Sequence, residues 1–225
     1  SFQGGVADNA IPQRGDIIVN TDDPAAFHRV LDSFYKDIVA EFCDSDAGIS
    51  IRSESVPALA RAFSSASMRH LLDLIRLLPN GVHTFHIPLQ IPSASNNIGL
   101  LVQKENHMEL FFRIRGLLDS TMDELLFKIK TAAGYTNGDV HILIRYPGWN
   151  YSGSSSLRDT YNKVIQQLYG HPAKIEGSHG GNETGVWAGL HPDADIISIG
   201  SIEQDFHTPQ EHLNLEAFDR MYHQL

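Results

Sequence analysis

Two short stretches of this 225-residue chain carry residue types that could do chemistry. The first is SHGGNETG, residues 178 to 185. Its paired glycines, Gly180 and Gly181, let backbone N–H groups approach a ligand closely, and Glu183 lies close behind His179. The second is FHTPQE, residues 206 to 211, which sets His207 between an acidic stretch and a Thr-Pro turn. It follows the strand-like apolar run Ile196, Ile197 and Ile199. A neutral imidazole is a common metal ligand, and Pro209 restricts Thr208 to extended backbone, which limits the wobble of the ring before it. His207 therefore reads either as one of twelve ordinary histidines or as a metal ligand at the carboxyl edge of a sheet. Glu183 is open in the same way: a binding carboxylate, or an acid in the first turn of a helix.

Composition narrows the field. Lys and Arg number 17 against 27 Asp and Glu, a net charge of −10, which argues against a nucleic-acid binder relying on a basic face and favours cations weakly. Cys43 is the single cysteine, so an intrachain disulfide and a cysteine zinc cluster are both excluded; any metal site must use His, Asp and Glu. An apolar content of 42% fits a globular chain. No apolar run reaches membrane-spanning length, and SFQGGVADNA lacks a signal pattern. The expectation is a cytoplasmic protein without membrane contact. The absence of an initiator Met points to an excised or processed piece.

The elements that must position these residues follow from periodicity. GDIIVN, 15 to 20, reads as a strand, and a helix follows with Asp23 as N-cap and Pro24 in its first turn. Phe27, Val30, Leu31, Phe34, Ile38 and Phe42 fall on one helical face, expected to meet a core. A short strand is expected at 48 to 52 and a long amphipathic stretch from Val56 to Leu78. NNIGLLVQ and MELFFRIRG flank KEN as a hairpin, with Met108, Leu110, Phe112 and Ile114 on one face. Ser120 with Asp123 resembles a capping box opening a helix, and 139 to 145 reads as strand. With 48 to 97 as an insertion, the order is β-α-β-β-α-β: a ferredoxin-like α+β domain over 1–145 with a four-stranded antiparallel sheet. YPGWNYSGSSS breaks the composition at 146. Residues 146–225 then read as helix (154 to 169), strand (173 to 177), Gly-rich loop, strand (195 to 199), loop with His207, and a last helix from about 214. Two parallel strands do not make a stable sheet, so this is an incomplete α/β segment.

Six ordered motifs carry a resemblance: DNAIP (8 to 12), RIRGLLDS (113 to 120), YPGW (146 to 149), HGGNETG (179 to 185), DIISIG (195 to 200) and HTPQE (207 to 211). Together they resemble the aminoacyl-histidine dipeptidases, also called cytosol non-specific dipeptidases, di-zinc metallopeptidases related to the carnosinases. The resemblance implies a catalytic α/β domain holding two zinc ions, interrupted by a lid, and this chain resembles most of the lid plus the returning catalytic segment. It implies that His207 is the last zinc ligand, that Arg115 and Asn9 hold the carboxylate or nearby groups of a dipeptide substrate, and that Gly181 offers a backbone contact. Glu183 joins them as a candidate substrate-side residue, and Asn182 stands where the family has Leu. The other zinc ligands and the general base belong to an N-terminal half that is not in this chain, so the site is incomplete here and the chain alone is expected to be inactive. Two zincs would polarise the scissile carbonyl and activate a bridging water.

Blander readings stand beside these. Arg115 could pair with Glu109 across its strand face, and Asn9 could be a turn residue. A non-enzymatic alternative is a lid-type module used for binding or for homodimerisation, since ferredoxin-like sheets pair edge to edge and a fold alone does not set function.

Overall fold

The computed structural model describes residues 1–179, 183–205 and 209–225. It is a mixed α/β structure with an antiparallel sheet and, among the described residues, six α-helices. The chain divides into two compact units, one of residues 1–72 with 99–111, the other of 73–98 with 112–225.

In the first unit, β1 (Phe2–Gly4) pairs antiparallel with β2 (Gly15–Ile17), Phe2 standing opposite Ile17. The other edge of β1 meets β4 (Ile91–Gln103) at Gly4 and Leu101. The two chains pass at glycines. Gly5 has φ +78°, and a Cβ there would lie 1.9 Å from the Gly99 carbonyl oxygen. A Cβ on Gly99 would lie 2.3 Å from the Asp8 oxygen. Neither position has room for a side chain. Helix α1 (Pro24–Glu41) starts as its sequence requires: Asp23 accepts from the Ala26 N–H at 2.8 Å, with Pro24 in the first turn. Its apolar face, however, buries no residue. The strand expected at 48 to 52 is not formed, and the stretch after Val56 becomes helical only in α2 (Ser65–Leu77), which Ser64 caps through the Ser67 N–H. Pro57 lies in the part left non-helical, where a proline cannot donate to a helix.

In the second unit, β3 (Gly81–His86) pairs antiparallel with the first part of β4 through a 3₁₀ turn at Ile87–Leu89. GVHTFH was not expected as a strand. Asn96 is 2% exposed, and its side-chain amide donates to the Pro79 carbonyl at 2.6 Å. β5 (Met108–Gly116) also pairs with β4, as the KEN hairpin required. Helix α3 (Asp119–Tyr135) supplies much of the core through Leu125, Ile129, Ala132 and Ala133. The expected capping box is not what opens it. Leu118 is the N-cap without a side-chain bond, because Asp123 is engaged by Arg145 at 2.5 Å and Asp119 accepts from the Gly148 N–H at 3.0 Å.

Beyond residue 138, among the described residues, three helices and one short strand pair are separated by irregular chain. α4 (Ser156–Tyr169) is capped by Ser155 and ends at Gly170, φ 76°. α5 (Glu183–Leu190) follows, then the short pair β6 (Glu203–Gln204) and β7 (His212–Leu213), then α6 (Leu215–Tyr222), capped by Asn214. The expected strands at 139–145, 173–177 and 195–199 are not formed. Strands 173–177 and 195–199 were expected to be parallel, which needs neighbours and cover on both faces, and no described strand pairs with them or with 139–145, expected as antiparallel. Even so, Asp195 is firmly placed. It accepts from the Ser155 hydroxyl at 2.6 Å, the Leu157 N–H at 2.8 Å and the Ser156 hydroxyl at 3.2 Å. These bonds tie it to the first turn of α4, where a carboxylate meets the positive end of the helix dipole.

Candidate functional site

In the second unit, the backbone leading to the Gly-rich loop is held against β4. A Cβ at Gly177 would fall 2.5 Å from Ile91 Cδ1 and 3.1 Å from Leu89 Cδ1, so a side chain there would require these two apolar side chains to shift. Two residues on, His179 Nε2 lies 2.6 Å from the Ser95 hydroxyl of β4. Its Nδ1 is buried without a hydrogen bond of good geometry. Burial, and then the Arg115 charge, push the imidazole below the usual histidine range. The Pro92 carbonyl works in the opposite direction and is outweighed. A ring so placed is neutral at pH 7, which leaves it able to accept a proton or to share one with Ser95.

Arg115 occupies the end of β5 and is half-buried. The surface pairing with Glu109 is not made: the Glu109 carboxylate is taken by His107 at 3.2 Å and Lys104 at 3.4 Å, which lower its pKa. Arg115 instead brings its positive charge to the His179 ring. The structure thus joins one expected site residue, Arg115, to two that sequence reasoning did not select, His179 and Ser95. His179 stood inside a quoted motif. Ser95 carried no local signal, because only the fold brings it beside a residue far along the chain.

The other expected site residues are distributed. Asn9 is exposed, within a turn between β1 and β2 in the first unit. Glu183 opens α5 and is exposed in its first turn, where a carboxylate is favourable on dipole grounds alone. Gly181 and His207 lie outside the described residues. Among the described residues no group of three or more His, Cys, Asp or Glu could hold a metal ion. A catalytic zinc needs about three protein ligands, so no chemical step through a metal is assigned to the described side chains.

Comparison with known proteins bears out the resemblance read from the six motifs. No protein-family model matches the chain. It is similar to the cytosol non-specific dipeptidase of Escherichia coli (strain K12), 24% identical over 219 residues, covering 96% of this chain and 45% of that protein. The crystal structure of aminoacylhistidine dipeptidase from Vibrio alginolyticus superposes with a TM-score of 0.88 at 22% identity, covering 99% of this chain and 46% of the other. The aminopeptidase PepT of Bacillus cereus matches with a TM-score of 0.55 at 20% identity, over 70% of this chain and 43% of that one. The chain spans a little under half the length of each. Among the described residues no helix is long and apolar enough to cross a membrane.

Proposed function

We propose that this chain is the lid and returning catalytic segment of a cytoplasmic metallodipeptidase that hydrolyses aminoacyl-histidine and other dipeptides. The observation that supports this best is the agreement of one sequence relative and one solved structure, both dipeptidases by name, over at least 96% of the chain. In this reading residues 1–145 are the lid and 146–225 are catalytic. The complete centre takes two zinc ions, which supply a polarised carbonyl and an activated water. His207 is the ligand this chain contributes, and the rest would come from the portion of the relatives' length that it does not span. Arg115 would hold the substrate carboxylate through its guanidinium fork, Asn9 would add a hydrogen bond, and Gly181 and Glu183 would line the loop facing the substrate.

The test has two arms. The purified 225-residue chain, given zinc and an aminoacyl-histidine dipeptide, is expected to show no chelator-sensitive hydrolysis; turnover by the chain alone would refute the incomplete-site reading. In the complete enzyme, Arg115→Ala should weaken substrate binding by about 2–3 kcal/mol and leave zinc content unchanged. If an analogue lacking the carboxylate loses as much affinity as the normal substrate, Arg115 has another role.

A further inference from the structure

Arg115 stands one residue from the end of β5, and the turn that follows it is packed from several sides. The Leu117 N–H donates to the Ser93 carbonyl of β4 at 2.9 Å, and Leu117 is buried. A Cβ on Gly116 would meet Met122 Cγ at 2.6 Å and Thr121 Oγ1 at 2.8 Å, both in the first turn of α3. The remaining side is covered from far along the chain. A Cβ on Gly148 would lie 2.5 Å from the Leu117 carbonyl oxygen, 2.7 Å from its carbon and 2.9 Å from the Leu118 nitrogen. These are backbone atoms, which cannot swing aside as the tip of a side chain can, so Gly148 sits against the 117–118 peptide with no room for a methyl group. The Gly148 N–H donates to Asp119 Oδ1 at 3.0 Å, and Arg145 lies 3.8 Å from the same carboxylate oxygen. Pro147, next to it, is backed by α5. A Cβ on Gly185 would fall 2.9 Å from the Pro147 carbonyl oxygen, and one on Gly189 would fall 3.1 Å from Pro147 Cγ. Gly185 and Gly189 are one turn apart and share a helix face. Residues 147 and 148 are therefore wedged between α5 and the turn behind Arg115.

We propose that Pro147-Gly148 is a positioning element for Arg115, fastened by Asp119; this rests on the carboxylate-binding reading of Arg115 given above. A guanidinium grips a carboxylate well only when both prongs meet it. Its stem is long and flexible, so the aim of the fork depends on how firmly the backbone beneath it is held. A displacement of about 1 Å in a substrate-holding group can cost about a hundredfold. Gly148 and Asp119 act through the 115–118 backbone and not on the substrate. The proposal gives the Tyr-Pro-Gly-Trp motif a task beyond marking a boundary: it carries the position of α5 to the strand end that bears the arginine.

The experiment is steady-state kinetics of the complete enzyme on a dipeptide and on the same dipeptide as its C-terminal amide, with zinc content measured for each variant. Gly148→Ala should raise KM for the free dipeptide about tenfold and change kcat by less than about twofold, the pattern of lost uniform binding. Asp119→Ala should do the same to a smaller extent. Asp119→Asn keeps an oxygen that accepts the Gly148 N–H and should restore a normal KM. None of the three should alter zinc content or the kinetics on the amide, which offers Arg115 no carboxylate. The proposal is overturned if KM for the free dipeptide stays normal in both Gly148→Ala and Asp119→Ala while Arg115→Ala raises it. It is equally overturned if the variants lose kcat or zinc instead, or lose as much on the amide, since that is the behaviour of a merely structural contact. If Arg115→Ala itself leaves KM unchanged, the carboxylate reading of Arg115 falls, and this inference with it. If Gly148→Ala does not fold, the comparison of Asp119→Ala with Asp119→Asn decides.

Discussion

Helices α1 and α3 are nearly the same length, 18 and 17 residues, and both carry apolar side chains at helical spacing. α3 buries four of them and α1 buries none. Local signals do not separate the two; by cap alone α1 is the better helix, with Asp23 and Pro24 in place, while α3 starts without a side-chain cap. The difference is tertiary. α3 follows directly on β5, a strand already laddered to β4, and the chain after it folds back along its length. The pattern in a helix says which face is apolar, and only the rest of the chain decides whether that face is covered.

Breaking the buried side of this comparison should have the largest effect. Leu125 is 2% exposed, and Leu125→Ala should cost about 2–5 kcal/mol, as truncations that leave a cavity do; urea unfolding measures it. Next comes the tie between β4 and the Gly-rich loop. Ser95→Ala leaves the partly buried His179 ring without its partner, at about 1–3 kcal/mol, and Ser95→Thr, which keeps the hydroxyl, should restore most of that.

Protonation sharpens the comparison at smaller scale. The His179 pKa is lowered in the folded chain, so the unfolded chain binds the proton first. Stability should therefore fall as pH drops below the ordinary histidine value of about 6.5, and His179→Gln should flatten that part of the profile. Asp195 is linked in the same direction, in a more acidic window. Its pKa is lowered by the Leu157 N–H first and then the Ser155 hydroxyl, so its contribution is present above about pH 4 and is lost as pH falls through its folded value. Melting curves of the natural chain and Asp195→Ala should differ at neutral pH and converge in strong acid. Smallest of all, Val30→Ala on α1, where Val30 is 69% exposed, should stay within about 0.5 kcal/mol; a larger loss would mean that something covers α1 in solution.

The same distinction explains what was legible in the sequence. The α1 start, the β4–β5 hairpin, Ser155 with α4 and the α6 region all follow from residues close in sequence, and all are present. DVHILIR and DIISIG have equally clear strand composition and form no strand, because a ladder is a property of two segments and their own residues describe one. The Asp123 capping box failed for a related reason: Arg145, far along the chain, engages that carboxylate. At the site, Arg115 and the motif holding His179 could be picked out from type and spacing. Ser95 could not, since a serine in a strand looks alike whether it faces water or an imidazole.

The glycine crossing between β1 and β4 has a consequence for how this sequence can drift. A Cβ on Gly5 would meet the Gly99 carbonyl, and one on Gly99 would meet the Ala7 and Asp8 carbonyls, and neither glycine has an atom to give up. A substitution at one position therefore has no compensating substitution at the other, unlike a packed pair in which one side chain shrinks as its neighbour grows. Single-step mutational routes through either site are closed. Any lineage carrying a side chain at either place must first have moved the backbones apart, so in a sequence relative a non-glycine at position 5 or 99 would itself mark a different crossing.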